Sequence, residues 1–222
     1  EIINADGTIS EMCGNGLRAV ALFLNQHGPT PGKTQFLLET LVGLHQAEIL
    51  GEESIRVSMG VPQIGRRGAE GEMLEVAGKD LRFFEVSMGN PHAIFFAGEG
   101  AAGSNPFSHV SDVPLSVWGP EVERNPRFPR RTNVEFVEPG AKPGSFRVAV
   151  WERGAGITEA CGSGACAVAV AAWITKRMPL EATECLVELP GGEVRIGWSG
   201  RASDPVTLTG PAKEVYTGEI EE

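Results

Sequence analysis

At 222 residues, with 41% hydrophobic and 22% charged side chains, the chain can bury a core as one large domain or as two of about 100 residues, and disorder is a poor reading of it. A net charge of −10 with no long run of Lys or Arg argues against a nucleic-acid partner, since phosphate binding needs clustered cations. No apolar stretch approaches the roughly 20 residues needed to cross a bilayer, so no membrane partner is expected, and no signal peptide is visible in these residues. Residue 1 is Glu and the chain opens in a strand-like run, Glu1-Ile2-Ile3, so the native polypeptide is expected to continue upstream.

In chain order, the first informative segment is Ile9 to Ala21, ISEMCGNGLRAVA, which reads as a loop entering a helix with an apolar run from Leu17 to Leu24. Alternating strands follow at Ile55 to Met59, Leu81 to Val86 and Ala93 to Phe96. Gly65 to Gly71 is a polar, Gly-rich break and a candidate domain boundary, and Ala97 to Pro106 reads as a loop. Strands are expected again at Asn133 to Val137 and Phe146 to Trp151. Then comes Ile157 to Ala169, ITEACGSGACAVA, with an apolar run from Ala165 to Ile174. The last strands are Cys185 to Leu189, Val194 to Trp198 and Val206 to Thr209.

The two loop-to-helix segments share the frame I-[ST]-E-x-C-G-x-G-x-x-A-V-A, aligned on Cys13 and Cys161. They lie too far apart for a solenoid repeat, so two duplicated halves, each offering one cysteine, are the better reading. Both helical runs are apolar nearly all round, which places each helix inside a wrapping sheet. The expected fold class is mixed α/β of the α+β type: two pseudo-symmetric domains, each a mixed sheet or barrel around a central buried helix.

A cysteine at a helix N-terminus meets unpaired backbone N–H groups and the positive end of the helix dipole, both of which stabilise a thiolate. The adjacent glycines let a ligand approach the backbone, and the same N–H groups can hold a carboxylate. Two such turns face to face make a symmetric acid–base device. One thiolate removes an α-proton, and the opposite thiol delivers one to the other face. Cys166 and Cys185 lie inside the second helix and at a strand start and read as core residues; no CxxC spacing supports a metal site.

At these residues the chain resembles the diaminopimelate epimerase family. The matching segments are NADGTISEMCGNG from Asn4, SMGNPH from Ser87, RRTNVEF from Arg130 and ERGAGITEACGSG from Glu152. The resemblance implies cofactor-independent interconversion of LL- and meso-2,6-diaminopimelate, in lysine and cell-wall synthesis, in a cleft between two similar domains. It makes Cys13 and Cys161 the acid–base pair and Gly14-Asn15 and Gly162-Ser163 the cradle for the reacting carboxylate. Asn4, Asn90, Asn133, Glu152 and Arg153 become substrate ligands, and His92 and Glu152 the groups that tune the cysteines. It further implies no cofactor and no metal, a cytoplasmic homodimer with Tyr216 a candidate contact, a first domain over 1–65 completed by 211–222, and a second over 66–210.

Taken singly, Asn90 before Pro91, the Asn4-Ala5-Asp6-Gly7 turn and the Glu152-Arg153 pair are ordinary turn or surface features, and the matched cysteine frame is what makes them candidates. The family's N-terminal GNDF-type segment does not precede Asn4. The rival readings are a proline racemase-like enzyme, an isomerase of small tricarboxylic acids on the same scaffold, and a non-catalytic amino-acid-binding module. Glu152-Arg153 with Asn90 favours a substrate with a zwitterionic second end.

Overall fold

The computed structural model describes residues 13–51, 53–98 and 105–219, so Asn4 and the start of the first cysteine frame lie outside the described residues. Helix α1 (Gly14–His27) is followed by β1 (Gln35–Thr40), β2 (Gly43–Gly51), β3 (Ser54–Gly60), β4 (Gln63–Ile64), β5 (Glu72–Val76), β6 (Lys79–Ser87) and β7 (Pro91–Phe96). Helix α2 (Leu115–Glu123) leads to β8 (Asn133–Pro139), β9 (Ser145–Glu152) and β10 (Gly156–Ile157). Helix α3 (Gly162–Ile174) precedes β11 (Glu184–Leu189), β12 (Gly192–Gly197) and β13 (Val206–Gly210). The expected mixed α+β class is what forms, and each of the eight expected strands lies within or largely within a real one.

The strands hydrogen-bond in the order β1-β2-β3-β13-β12-β11-β9-β8-β7-β6-β4, with β10 on β9 and β5 on β6. Two neighbouring pairs are parallel, β7 with β8 and β9 with β11. A parallel pair needs a crossover, and each crossover here carries a helix: α2 between β7 and β8, α3 between β9 and β11. The two helices cover opposite faces of the sheet.

Alternation along β7 and β8 shows this directly. Ile94, Phe96 and Val137 point into the core around α3. Ala93, Phe95, Val134 and Phe136 point into a second core under α2, with Phe83, Phe107, Trp118 and Phe128. Strands covered on both faces read as almost continuous apolar runs.

Helix α3 fits the expectation of a central helix. Every residue from Ser163 to Ala172 is buried, and its many Ala and Val side chains let the surrounding strands approach closely. Helix α1 departs from that expectation. Its buried stripe is Gly14, Leu17, Arg18, Ala21 and Leu22, facing β2 and β3, whereas Val20 and Phe23 are exposed on the opposite side. Among the described residues the sheet covers one face of α1 only.

Helix α2 was not expected, because Gly119 and Pro120 sit inside it and both are poor helix formers. Packing holds it in place. Trp118 lies 5.8 Å from the Phe136 ring, and Gly119 rests on the Trp151 indole so closely that a Cβ there would approach it to 2.6 Å. No helix among the described residues is long and apolar enough to cross a membrane.

Candidate active site

The two cysteines occupy the same place on their helices. Cys13 caps α1 with φ −141° and ψ 102°, and its Sγ accepts from Gly16 N at 3.3 Å. Cys161 caps α3 with φ −121° and ψ 105°, and its Sγ accepts from Gly164 N at 3.4 Å. An extended residue whose side chain takes the N–H three positions on is ordinary N-cap geometry, here with sulfur replacing the usual oxygen.

The two helix starts meet over Leu208 of β13. A Cβ on Gly162 would lie 3.3 Å from Leu208 Cδ1 and 3.7 Å from both Gly14 Cα and Asn15 Oδ1. A Cβ on Gly14 would strike Met59 at 3.0 Å. The glycine after each cysteine therefore permits the two turns to abut.

The sheet brings most of the remaining candidates to the same end of the molecule. Because β7 and β8 are parallel, their starts lie side by side, with His92 opposite Asn133. Antiparallel β9 ends beside them, with Trp151 opposite Val134 and Glu152 next in line. Asn90, His92, Asn133, Glu152 and Arg153 thus gather at one sheet end, which is also where Asn90 reaches Ser163 at the start of α3.

Asn90 Nδ2 donates to Ser163 Oγ at 3.1 Å, and Asn90 Oδ1 lies 3.0 Å from His92 Nε2. Ser163 Oγ is 3.6 Å from Cys161 Sγ. Asn133 acts as a strap: its Nδ2 donates to Pro91 O at 2.9 Å and its Oδ1 accepts from Arg153 N at 2.9 Å. Glu152 Oε1 accepts from Thr158 Oγ1 at 2.6 Å. Tyr216 is well exposed, in the irregular segment that follows β13.

One expectation about the thiols is reversed. Burial pushes the Cys161 thiol well up, and the nearby carboxyls of Glu152 and Glu135 push it further. The bonds from Ser163 and Gly164 pull the other way and do not win. A helix start favours a thiolate, but at Cys161 that pull is outweighed by burial beside acidic side chains. Cys166 is pushed up by burial, and Cys185 rises to about 12 for the same reason, as suits core thiols.

Three residues of this neighbourhood were not read from the sequence. Glu135 is fully buried on β8, and its Oε1 lies 2.6 Å from His92 Nδ1. Arg18 is buried on α1 and donates from Nη2 to Asn15 Oδ1 at 3.0 Å and from Nε to Pro211 O at 3.0 Å. Glu123, at the end of α2, accepts from Trp151 Nε1 at 2.8 Å and from Gly154 N at 3.1 Å, and so shapes the turn that carries Glu152 and Arg153. Glu135 left a readable signal, since an acid interrupts the apolar run of β8 on the same face as Asn133.

The fold is one that solved structures of a racemase and an epimerase also adopt. A probable proline racemase from Agrobacterium radiobacter K84 superposes with a TM-score of 0.67 at 16% identity, covering 94% of this chain and 67% of that one. A hydroxyproline epimerase from Agrobacterium vitis gives 0.65 at 16% identity, covering 94% and 65%. Sequence narrows the class. The family model for diaminopimelate epimerase matches residues 84–215. The diaminopimelate epimerase of Desulforudis audaxviator is 43% identical over 98% of this chain and 77% of its own length, and that of Microcystis aeruginosa 42% identical over 98% and 76%. The chain belongs to the diaminopimelate epimerase family and is an isomerase of the epimerase kind.

Proposed function

We propose that the protein converts LL-2,6-diaminopimelate to the meso isomer by a two-base thiol/thiolate mechanism that uses no cofactor, in lysine and peptidoglycan-precursor synthesis. The observation that carries this reading is the pair of abutting helix starts, each capped by a cysteine whose sulfur accepts the N–H three residues on. The names of the diaminopimelate epimerases it matches support this substrate.

Cys161, its thiol raised by burial and neighbouring acids, rests as the acid. Cys13, half-buried at the other helix start, is the base in that direction. Its thiolate takes the α-proton, and the electron pair left behind spreads onto the substrate carboxylate. Backbone N–H groups at Gly14-Asn15 and Gly162-Ser163 stabilise that added charge. The Cys161 thiol then delivers its proton to the opposite face. Turnover leaves Cys13 as thiol and Cys161 as thiolate, and the reverse reaction runs the same path backwards.

The second amino-acid end is anchored by Asn4, Asn90, Asn133, Glu152 and Arg153, with Glu152 for the ammonium and the Arg153 fork for the carboxylate. His92 and Glu152 set the balance between the two sulfurs. Asn133 meets the substrate with the donor and lone pair left over from its strap to Pro91 and Arg153. The reading extends to a cytoplasmic homodimer with Tyr216 at the contact, and to a domain division at residue 65 with 211–222 returning to the first domain.

The test is incubation of the full-length protein with LL-diaminopimelate in D₂O. Deuterium is expected at one α-carbon, and its absence rejects the epimerase reading. Cys13→Ala and Cys161→Ala should each abolish turnover, and wild-type rates in either variant reject the two-base assignment.

A further inference from the structure

Glu135 and His92 form an ion-pair geometry in which both side chains are wholly buried. Among the described residues, Glu135 Oε2 has no hydrogen-bond partner. The titratable groups facing Glu135 are His92 from β7, Glu152 from the end of β9 and Cys161 from the start of α3. Glu135 also lies against the first turn of α3, where a Cβ on Gly164 would come within 2.7 Å of Oε1 and 3.2 Å of Cys161 Sγ.

The protons of this cluster can be placed from the bonds. Asn90 Nδ2 donates to Ser163, so Asn90 Oδ1 is the acceptor that faces His92 Nε2, and Nε2 must carry a hydrogen. One proton remains to be shared between His92 Nδ1 and Glu135 Oε1, 2.6 Å apart. On the nitrogen it makes an imidazolium and a carboxylate, both wholly desolvated, with one carboxylate oxygen lacking a donor. On the oxygen it makes two neutral groups. Burying two charges carries a large desolvation cost, and a bare carboxylate oxygen adds to it.

We infer that Glu135 is a neutral carboxylic acid in this site and a positioning residue for Cys161, donating to His92 Nδ1 and so setting the direction of a hydrogen-bond chain that ends on the sulfur. In that chain Glu135 donates to His92, His92 Nε2–H to Asn90 Oδ1, Asn90 Nδ2–H to Ser163 Oγ, and the Ser163 hydroxyl to Cys161 Sγ. Bonds aligned in one direction polarise one another. The last donor favours the thiolate that Cys161 must become when its proton is delivered. A neutral Glu135 also removes the negative charge that would oppose that thiolate. Burial drives the Glu135 carboxyl up, the direction this placement requires, although His92 opposes it.

The inference rests on the reading of Cys161 as one of the acid–base pair, and its test separates the two. Nitrogen-15 NMR of histidine-labelled full-length protein reads the proton directly. At pH 7 His92 should show a protonated Nε2 and a bare Nδ1, whether or not the protein turns over. An imidazolium, or a hydrogen on Nδ1 with a bare Nε2, overturns the inference.

Two variants carry the argument to activity. Glu135→Gln keeps a neutral donor toward Nδ1 and should hold the tautomer and kcat to within about tenfold. Glu135→Met fills the space without a donor and should lower kcat by about 10- to 100-fold, as expected when the outer partner of a functional histidine is lost, with KM little changed and the Cys161 limb of the pH–rate profile moved upward. A Gln variant as impaired as the Met variant, or a Met variant with the wild-type pH profile, overturns the assignment. If the wild-type protein exchanges no α-proton, the proposed function falls while the histidine spectrum still decides where the proton sits.

Discussion

Cys161 shows two forces acting on one thiol. The α3 dipole and the Gly164 N–H favour the thiolate, while burial and the Glu152 carboxyl favour the thiol, and the thiol wins. The sulfur keeps its place because Gly164 has no side chain. Gly164→Ala would force its new methyl to within 2.7 Å of Glu135 Oε1 and 3.2 Å of Cys161 Sγ. The expected result is a loss of about 1–3 kcal/mol of stability, measured by urea unfolding, together with a larger fall in α-deuterium exchange than in stability. Unchanged exchange in the Gly164→Ala variant would show that this turn need not be held so tightly.

Between elements, the contact of α2 with β9 bears on the site even though α2 carries no candidate residue. Glu123 is almost wholly buried and joins the end of α2 to Trp151 and Gly154, on either side of Glu152 and Arg153. Glu123→Gln replaces one of its acceptor oxygens with a donor and leaves a buried N–H without a partner. The prediction is destabilisation by about 1–3 kcal/mol and a rise in KM for diaminopimelate that exceeds the fall in kcat, checked by thermal melts and steady-state kinetics. A fall in kcat with KM unchanged would place the effect on the chemistry rather than on substrate anchoring.

For the molecule as a whole, core thiols give the fold an alkaline limit. Cys185 is raised to about 12 and Cys166 is raised too, whereas in an unfolded chain both titrate near the ordinary thiol value of about 8.5. Above that pH the unfolded chain has lost these protons and the folded chain has kept them, so stability falls as pH rises toward the folded values. It is fully present below the unfolded value. The slope is about 1.4 kcal/mol per pH unit for each thiol. Melting temperatures measured from pH 8 to 11 should therefore fall, and Cys185→Ala should flatten the slope even though it lowers stability at pH 8 by leaving a cavity. A variant with the same slope would remove Cys185 from the account.

The strands of β3, β6 to β9 and β11 to β13, the buried α3, and the equivalence of Cys13 and Cys161 are legible in the amino-acid order. These follow from local periodicity and a repeated frame, which involve only neighbours along the chain. The candidate set around the cysteines is legible there too, through the family resemblance. The remaining features rest on contacts between segments far apart in the chain. Glycine and proline hid α2, whose helix depends on packing against Trp151 and Phe136. The one-sided cover of α1 depends on where β2 and β3 lie. The rise of the Cys161 thiol is a matter of burial and of the acid at the end of β9. The Glu135–His92 pair exists because two parallel strands, joined by a long crossover, set their starts side by side. Desolvation and through-space charge depend on distances between residues far apart in the chain, and no local pattern encodes those.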